Sequence, residues 1–400
     1  MDGRFVKWHW FLCLFLSYIF FPLGCTIQSN LQLYHRKLEI YQKEVSVDYQ
    51  VSHENDSSYL YVKSNLENYR IICRGYERYE AEQVLFERQV EIENVSKGSV
   101  QKIALNTQAP TYACELLIYE VFNLSTPLFH DITFVNSAQE NRQSIHFTDE
   151  QKVPLLRKYL FVNEPFKILY KKPVAQKFYI KYTKQAFRPA PPPFSAIYNL
   201  HNPLREYTNL YVVEAGQTLQ FSQEGSYFVQ TDTSSKQGVF INCLSEDYPK
   251  PTRLKDLIVT MRYITRNNEY ERMMEAKNKK RELDNYWLVR ANNNKNAARY
   301  LLKTYFKRIE QANKYFTSYK EGWKTDRGLI FVVFGKPQSV RKYLDKEIWY
   351  YSSKYRRPPI EFVFTRIEEQ YILNRNEDYR SAWRLEIQNW RKGYTQYIYN

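Results

Sequence analysis

Apolar and polar residues alternate in steps of two over much of the first 250 positions. Val45, Val47, Tyr49 and Val51 share one face of an extended segment while Ser46, Asp48 and Gln50 share the other, the pattern of a strand with one buried side. Similar runs at 59–62, 69–73, 112–122 and 132–135, with polar text between them, predict a β-sandwich-like domain over 25–148. Further runs at 161–170, 178–182, 210–213, 218–221, 227–231 and 239–243 predict a second one over 149–250, with Gly216, Gly225 and Gly238 where turns are needed. Pro189, Pro191, Pro192 and Pro193 have no amide hydrogen to give to a ladder, so an edge or a crossover is expected there. A polyproline ligand for a partner is the sharper and less favoured reading.

Beyond Pro251 the period changes. Tyr270, Met273, Met274, Leu283, Tyr286 and Trp287 recur at helical spacing, and Ala298, Leu301, Leu302, Tyr305, Ile309, Ala312 and Phe316 do so more cleanly. Two amphipathic helices follow from this, interrupted by Asn292 to Asn294, which offer a cap for the second. Short strands are expected at 329–334, 347–351 and 361–365, then a closing helix with Tyr379, Trp383, Ile387 and Trp390 on one side. Residues 251–400 thus read as an α+β domain: a helical pair, a small antiparallel sheet and a closing helix. The chain as a whole reads as a multidomain β and α+β protein.

The first residues carry a different signal. Arg4 and Lys7 give a basic start, Trp8 to Phe21 is apolar apart from His9 and Ser17, and Pro22-Leu23-Gly24-Cys25 follows. This is the build of an export signal over 1–24, shorter than the roughly 20 apolar residues a spanning helix needs. It resembles a bacterial lipoprotein signal, in which a small residue precedes a cysteine that is acylated and becomes the mature N-terminus. Cys25 stands at that position, although the leucine preferred three residues earlier is Pro22 here. Ordinary cleaved secretion and an uncleaved anchor are the alternatives.

Charge then separates the domains. Residues 251–400 hold 32 of the 58 basic and 17 of the 43 acidic side chains, so they carry the whole net charge of +15. A field of one sign favours anionic partners, such as lipid or lipopolysaccharide phosphates or an acidic protein face. An exported chain has little occasion to meet nucleic acid, and none is expected as a partner. Lys277, Lys279, Lys280 and Arg281, with Arg356 and Arg357, are the candidate anion-binding side chains; a solvated helix face is the plainer reading of the first four. Among the cysteines after Cys25, Cys73, Cys114 and Cys243 show no metal-ligand spacing. In an oxidising compartment Cys73 and Cys114 are candidates for a disulfide, against the alternative of two separately buried thiols.

The most distinctive run is Gly322-Trp323-Lys324-Thr325-Asp326-Arg327-Gly328, followed by Gly335-Lys336-Pro337 and by Glu347-Ile348-Trp349-Tyr350-Tyr351. It resembles the GWxTD domain, a family of exported bacterial proteins found mainly in the Bacteroidetes, here through Gly322, Trp323, Thr325 and Asp326. Tyr270, Trp287, Arg308 to Asn313 and Phe316 match the helical lead-in of that family, and the likeness covers 254–393. One departure is the stretch Ala291 to Lys295, which stands where the family usually has proline and glycine. The resemblance implies a fold and an envelope setting, and no reaction.

Physical reasoning gives the run a structural role. Gly322 and Gly328 permit a tight turn, Asp326 can accept backbone hydrogen bonds within it, and Arg327 can pair with Asp326 or a nearby carboxylate. Trp323 is expected to fill the joint between helices and sheet. Gly335-Lys336-Pro337 lacks the residues of a phosphate loop and reads as a hairpin turn. No histidine follows His201, which removes histidine-dependent nucleophile schemes and histidine metal ligands from this domain. Glu347 with Glu361, or Glu368 with Glu369, are the remaining carboxylate pairs, with no spacing rule to support them. The expectation is therefore a non-enzymatic outer-membrane lipoprotein without cofactor or metal, facing the periplasm because Thr26 to Asn30 carry no acid. It would bind or scaffold an envelope complex or an anionic envelope component. An envelope enzyme or glycan-binding protein acting on cell-wall or imported polysaccharide is the alternative.

Overall fold

The computed structural model describes residues 38, 41, 45–54, 57–77, 83–105, 111–136, 145–170, 177–184, 187–195, 207–234, 237–353, 356–367 and 370–394. Cys25 and the rest of the expected export signal lie outside them.

The first β unit is a pair of antiparallel sheets. Strands β1 (Val47–Glu54), β2 (Ser57–Ser64) and β5 (Val100–Ala104) form one. Strands β3 (Tyr69–Tyr76), β4 (Val84–Ile92), β6 (Thr111–Tyr119) and β7 (Phe129–Asn136) form the other, in the order β4-β3-β6-β7. Leu60 and Val62 meet Ile71, Cys73, Cys114, Leu116 and Ile118 between the sheets, all buried, as the alternation required. The expected strand at 112–122 ends sooner, at Tyr119, in a turn.

The second unit has the same plan. Strands β8 (Ile145–Thr148), β10 (Phe166–Tyr170) and β13 (Thr218–Leu219) make a small sheet. A five-stranded sheet joins β12 (Asn209–Glu214), β11 (Lys177–Thr183), β14 (Gly225–Gln230), β15 (Val239–Leu244) and β9 (Tyr159–Phe161) in that order, the last pair parallel. The run at 161–170 is thus two strands in different sheets, divided by a turn at Asn163, whose φ is 61°.

The C-terminal unit corrects two expectations. Its helical pair is four helices before the motif: α1 (Leu254–Thr260), α2 (Asn267–Glu275), α3 (Lys279–Arg290) and α4 (Lys295–Phe316). Asn294 caps α4 as expected, its side-chain oxygen accepting from Asn296 N at 3.0 Å and Ala297 N at 3.1 Å. The expected strand at 329–334 is instead part of helix α5 (Asp326–Phe334). Leu329, Ile330, Phe331, Val332, Val333 and Phe334 all have 0% exposure, so the helix is apolar on every side and its sequence shows no period. Then follow β16 (Ser339–Lys342), β17 (Lys346–Ser353), β18 (Arg356–Ile367) and β19 (Gln370–Leu373), an antiparallel meander, and the closing helix α6 (Tyr379–Lys392).

The core of this unit does not respect the sequence boundary at 251. Leu38 exchanges two backbone hydrogen bonds with Val340, each 2.9 Å, on the free edge of β16. Tyr41 is buried among Tyr315, Phe316, Phe331 and Trp349, with ring centroids 5.1 to 5.7 Å away. Tyr76, Ala113 and Ile132 from the first unit and Ala190 from the second join the same apolar cluster. The proline run forms neither sheet edge nor strand. It crosses from the second unit onto the third as irregular chain, with Ala190 N donating to Lys324 O at 2.9 Å.

Candidate functional site around Gly322 to Gly328

The motif turns the chain from α4 into α5 through a short 3-10 turn at Gly322–Lys324. Both glycines are required by packing. A Cβ on Gly322 would lie 2.0 Å from Ala312 O, and one on Gly328 would lie 1.9 Å from Gly322 O. Thr325 caps α5: its hydroxyl donates to Gly322 O at 2.7 Å and accepts from Gly328 N at 3.0 Å. Asn313, late in α4, holds the turn from beneath, accepting from Trp323 N at 3.1 Å and donating to Pro249 O at 2.9 Å.

Trp323 fills the joint among the helices, 4% exposed, with Tyr263 edge-on at 5.7 Å and the Tyr263 hydroxyl donating to Trp323 O at 3.0 Å. Asp326 is 2% exposed and does not serve a local turn. Its carboxylate accepts from Leu373 N at 2.9 Å and takes both terminal nitrogens of Arg375, at 2.6 and 3.2 Å. Arg375 also donates to Pro191 O at 3.2 Å, and Asn376 N donates to Pro193 O at 3.1 Å, so the proline run is clasped to the motif's ion pair. Arg327 pairs with Glu347 rather than Asp326, at 3.2 Å, and lies 4.1 Å over the Tyr371 ring. Trp349, fully buried, donates its indole hydrogen to the same Glu347 at 3.1 Å.

Gly335 and Pro337 are not in a hairpin. Gly335 ends α5 with φ of 86° and leads, past buried Pro337, into β16; its carbonyl accepts from the Tyr351 hydroxyl at 2.8 Å. Arg308 donates to the carbonyls of Val332 and Val333 at 3.2 and 3.0 Å and so closes the same helix end. Next to Asp326 sits a cavity of about 20 Å³, walled by Lys320, Tyr319 and Tyr371, which is room for about one water. Burial pulls the Lys320 ammonium down to about 8, with Asp326 opposing.

The candidate cations do not form one site with the motif. Lys277, Lys280 and Arg281 are exposed where α2 passes into α3, but Lys280 pairs with Asp284 at 2.6 Å and Lys279 donates to Met274 O. Arg356 and Arg357 open β18, on the sheet. Cys73 and Cys114 are brought together, with sulfurs 3.0 Å apart and unbonded; Cys243 is buried in the other sandwich. Among the described residues no group of three or more His, Cys, Asp or Glu is placed to hold a metal ion, and no helix is long and apolar enough to cross a membrane.

Sequence reasoning missed the partners of the motif: Arg375, Asn313 and Glu347 are ordinary polar letters until the fold brings them in. It also missed a cleft of about 940 Å³ where the three units meet, lined by Tyr49, Tyr159, Tyr315, Asp48, Glu310 and Lys314 among others. Burial raises the Asp48 carboxyl there, against Lys314 and Lys63. A further ionic knot joins α2, α3 and α6: Glu269 binds Arg290 and Arg391, the latter at 2.6 and 2.9 Å. Burial opposes ionisation of Glu269, yet the hydrogen bonds from Arg391 and Arg266 N and the charge of Arg290 hold it at about 2, below its ordinary 4.5. A depressed folded-state value stabilises above the unfolded one, and that gain is lost as pH falls toward the folded value. Glu269→Gln should therefore melt below wild type at about pH 6, with the gap closing between about pH 4.5 and 2. Thermal scans across that range check this; a gap independent of pH would refute the assignment.

These features define a class: a multi-unit β protein whose C-terminal α+β module spends its motif on clasping chain segments together. Residues 225–392 match the family model described as the GWxTD domain, and the chain is a GWxTD domain protein. No curated protein matches it. Among solved structures it is similar to a Salmonella alpha-2-macroglobulin reacted with methylamine. That likeness is 11% identical and covers 53% of this chain and 17% of that one, with a TM-score of 0.17. It is similar also to a C-terminal fragment of intimin in complex with the intimin-binding domain of the translocated intimin receptor, at 9% identity, 84% and 95% coverage and a TM-score of 0.15.

Proposed function

We propose that this chain is an envelope lipoprotein, acylated on Cys25 at the periplasmic face of the outer membrane, where it acts as a non-catalytic binding or scaffolding subunit. The observation that carries this reading is the use of the motif. Asp326, Arg327, Thr325 and Trp323 all spend their polar groups or their surface on holding α4, α5, β17, β19 and the proline run together. Such a clasp fastens the second unit to the third, as a scaffold requires. The net charge of +15 on 251–400 favours an anionic partner, a lipid phosphate or an acidic protein face.

Acylation is the testable part. Cys25→Ala should release the protein from the membrane fraction or trap the precursor, and it should abolish labelling by fatty acid. Equal labelling of wild type and variant would defeat the anchor and with it the membrane placement. One observation favours a second reading, that of a glycan-binding protein: the cleft between the units offers tyrosine rings beside carboxylates and lysines. Saturable uptake of a cell-wall oligosaccharide by the purified chain, lost in Tyr159→Ala, would move the proposal to that reading.

A further inference from the structure

Cys73 lies on β3 and Cys114 on β6, neighbouring central strands of the four-stranded sheet. In their register Cys73 faces Leu116 and Gly75 faces Cys114, so the two cysteines are diagonal neighbours on one face of the sheet. That face is the inside of the first sandwich, and both residues have 0% exposure. The residue directly opposite Cys114 is a glycine, and the Cys114 sulfur is 3.0 Å from that of Cys73. A bonded pair sits at about 2.05 Å, so closing this one takes a shift of about 1 Å, within rotamer and strand adjustment. No other thiol among the described residues has such a neighbour: Cys243, in the other sandwich, donates instead to Phe221 O at 3.7 Å.

We propose that Cys73 and Cys114 form a disulfide that ties β3 to β6 within the core of the first sandwich. The oxidant is a disulfide, small or borne by a protein. One cysteine thiolate attacks a sulfur of that oxidant, forming a mixed disulfide and expelling one thiolate. The second cysteine then attacks the sulfur of the first, forming the internal bond and expelling the other thiolate. Two thiols of the chain are oxidised, one external disulfide becomes two thiols, and the two protons released pass to the departing sulfurs. Contact with Cys73 and burial hold the Cys114 thiol well above its ordinary value, which makes it a poor nucleophile once the sheet has closed. The bond is therefore made while the unit folds, and the closed core afterwards shields it from reductant. A cross-link spanning 41 residues restricts the unfolded chain substantially.

This inference stands on the geometry of the sandwich and is independent of acylation and of the partner. The test uses the purified full chain, unfolded and refolded in a glutathione redox buffer, alkylated under denaturing conditions and mapped by peptide mass. The expected result is a linked peptide pair containing Cys73 and Cys114, with Cys243 recovered alkylated. In calorimetry, chain unfolded and refolded in dithiothreitol, so that the buried pair is reduced before the core closes, should show the transition of the first sandwich lowered by about 10 °C. The double variant Cys73→Ala/Cys114→Ala should melt at the reduced temperature and ignore the reductant. Recovery of both cysteines alkylated after oxidative refolding overturns the proposal, as does an equal transition temperature for chain refolded in oxidant and chain refolded in reductant. Should the double variant fail to fold, the wild-type peptide map decides alone.

Discussion

Asp326→Ala will lower the unfolding temperature of the GWxTD domain by roughly 10 °C, since removing one partner of a buried ion pair costs about 3–5 kcal/mol. The loss comes from what is left behind. Arg375, whose side chain is 8% exposed, would keep its charge with no carboxylate opposite, and Leu373 N would lose its acceptor. The clasp on Pro191 O would also lose its fixed guanidinium. Apart from Trp8 and Trp10 near the start of the sequence, every tryptophan lies in this domain, at 287, 323, 349, 383 and 390, so indole fluorescence reports its melting within the full chain. Replacing both partners, as in Asp326→Ala with Arg375→Met, removes the stranded charge and should recover much of the loss. If the single variant melts with wild type, the ion pair is not what holds this junction.

Trp323→Ala should have a comparable effect, about 3–5 kcal/mol for truncating a buried indole. The cavity it leaves cannot collapse easily, because Gly322 and Gly328 already sit at backbone contact with Ala312 and with each other. The variant should therefore melt several degrees lower in the same fluorescence scan while its far-ultraviolet spectrum below the transition stays unchanged. A variant as stable as wild type that nonetheless loses the proposed binding role would place Trp323 in a binding surface and reverse the reading of the motif as a clasp.

Period carried most of what the sequence revealed. Strands such as β1 and β11 bury mainly one face and a step of two marked them, whereas β6 and β14 are buried on both faces and were marked by apolar content; α4 is amphipathic over its whole length, and a step of 3.6 marked it. The helix α5 escaped because burial on all sides erases period, and its β-branched residues then read as a strand. Thr325 carried the missing signal, as a threonine cap followed three residues later by glycine and then an apolar run. The pairing of Asp326 with Arg375, and of Arg327 with Glu347, joins residues brought close only by the meander between them. No local rule reaches that far, so the motif could be read as structural without its partners being named. The cleft between the units was illegible for the same reason, since its walls come from all three units.

The pairing of Leu38 with Val340, and the burial of Tyr41 beneath it, have a mechanical meaning. The start of the described chain is fastened to its last unit, so both sandwiches hang on a loop whose two ends meet at one sheet edge. A pull on residues ahead of Leu38 is delivered first to the edge of β16 and to the aromatic rings around Tyr41, as a load across the C-terminal unit. The first strand of the first sandwich feels it only after that fastening gives way. A load applied ahead of Leu38 therefore falls first on the GWxTD domain and reaches the two sandwiches second, through the core that they share with it at Tyr76, Ala113, Ile132 and Ala190.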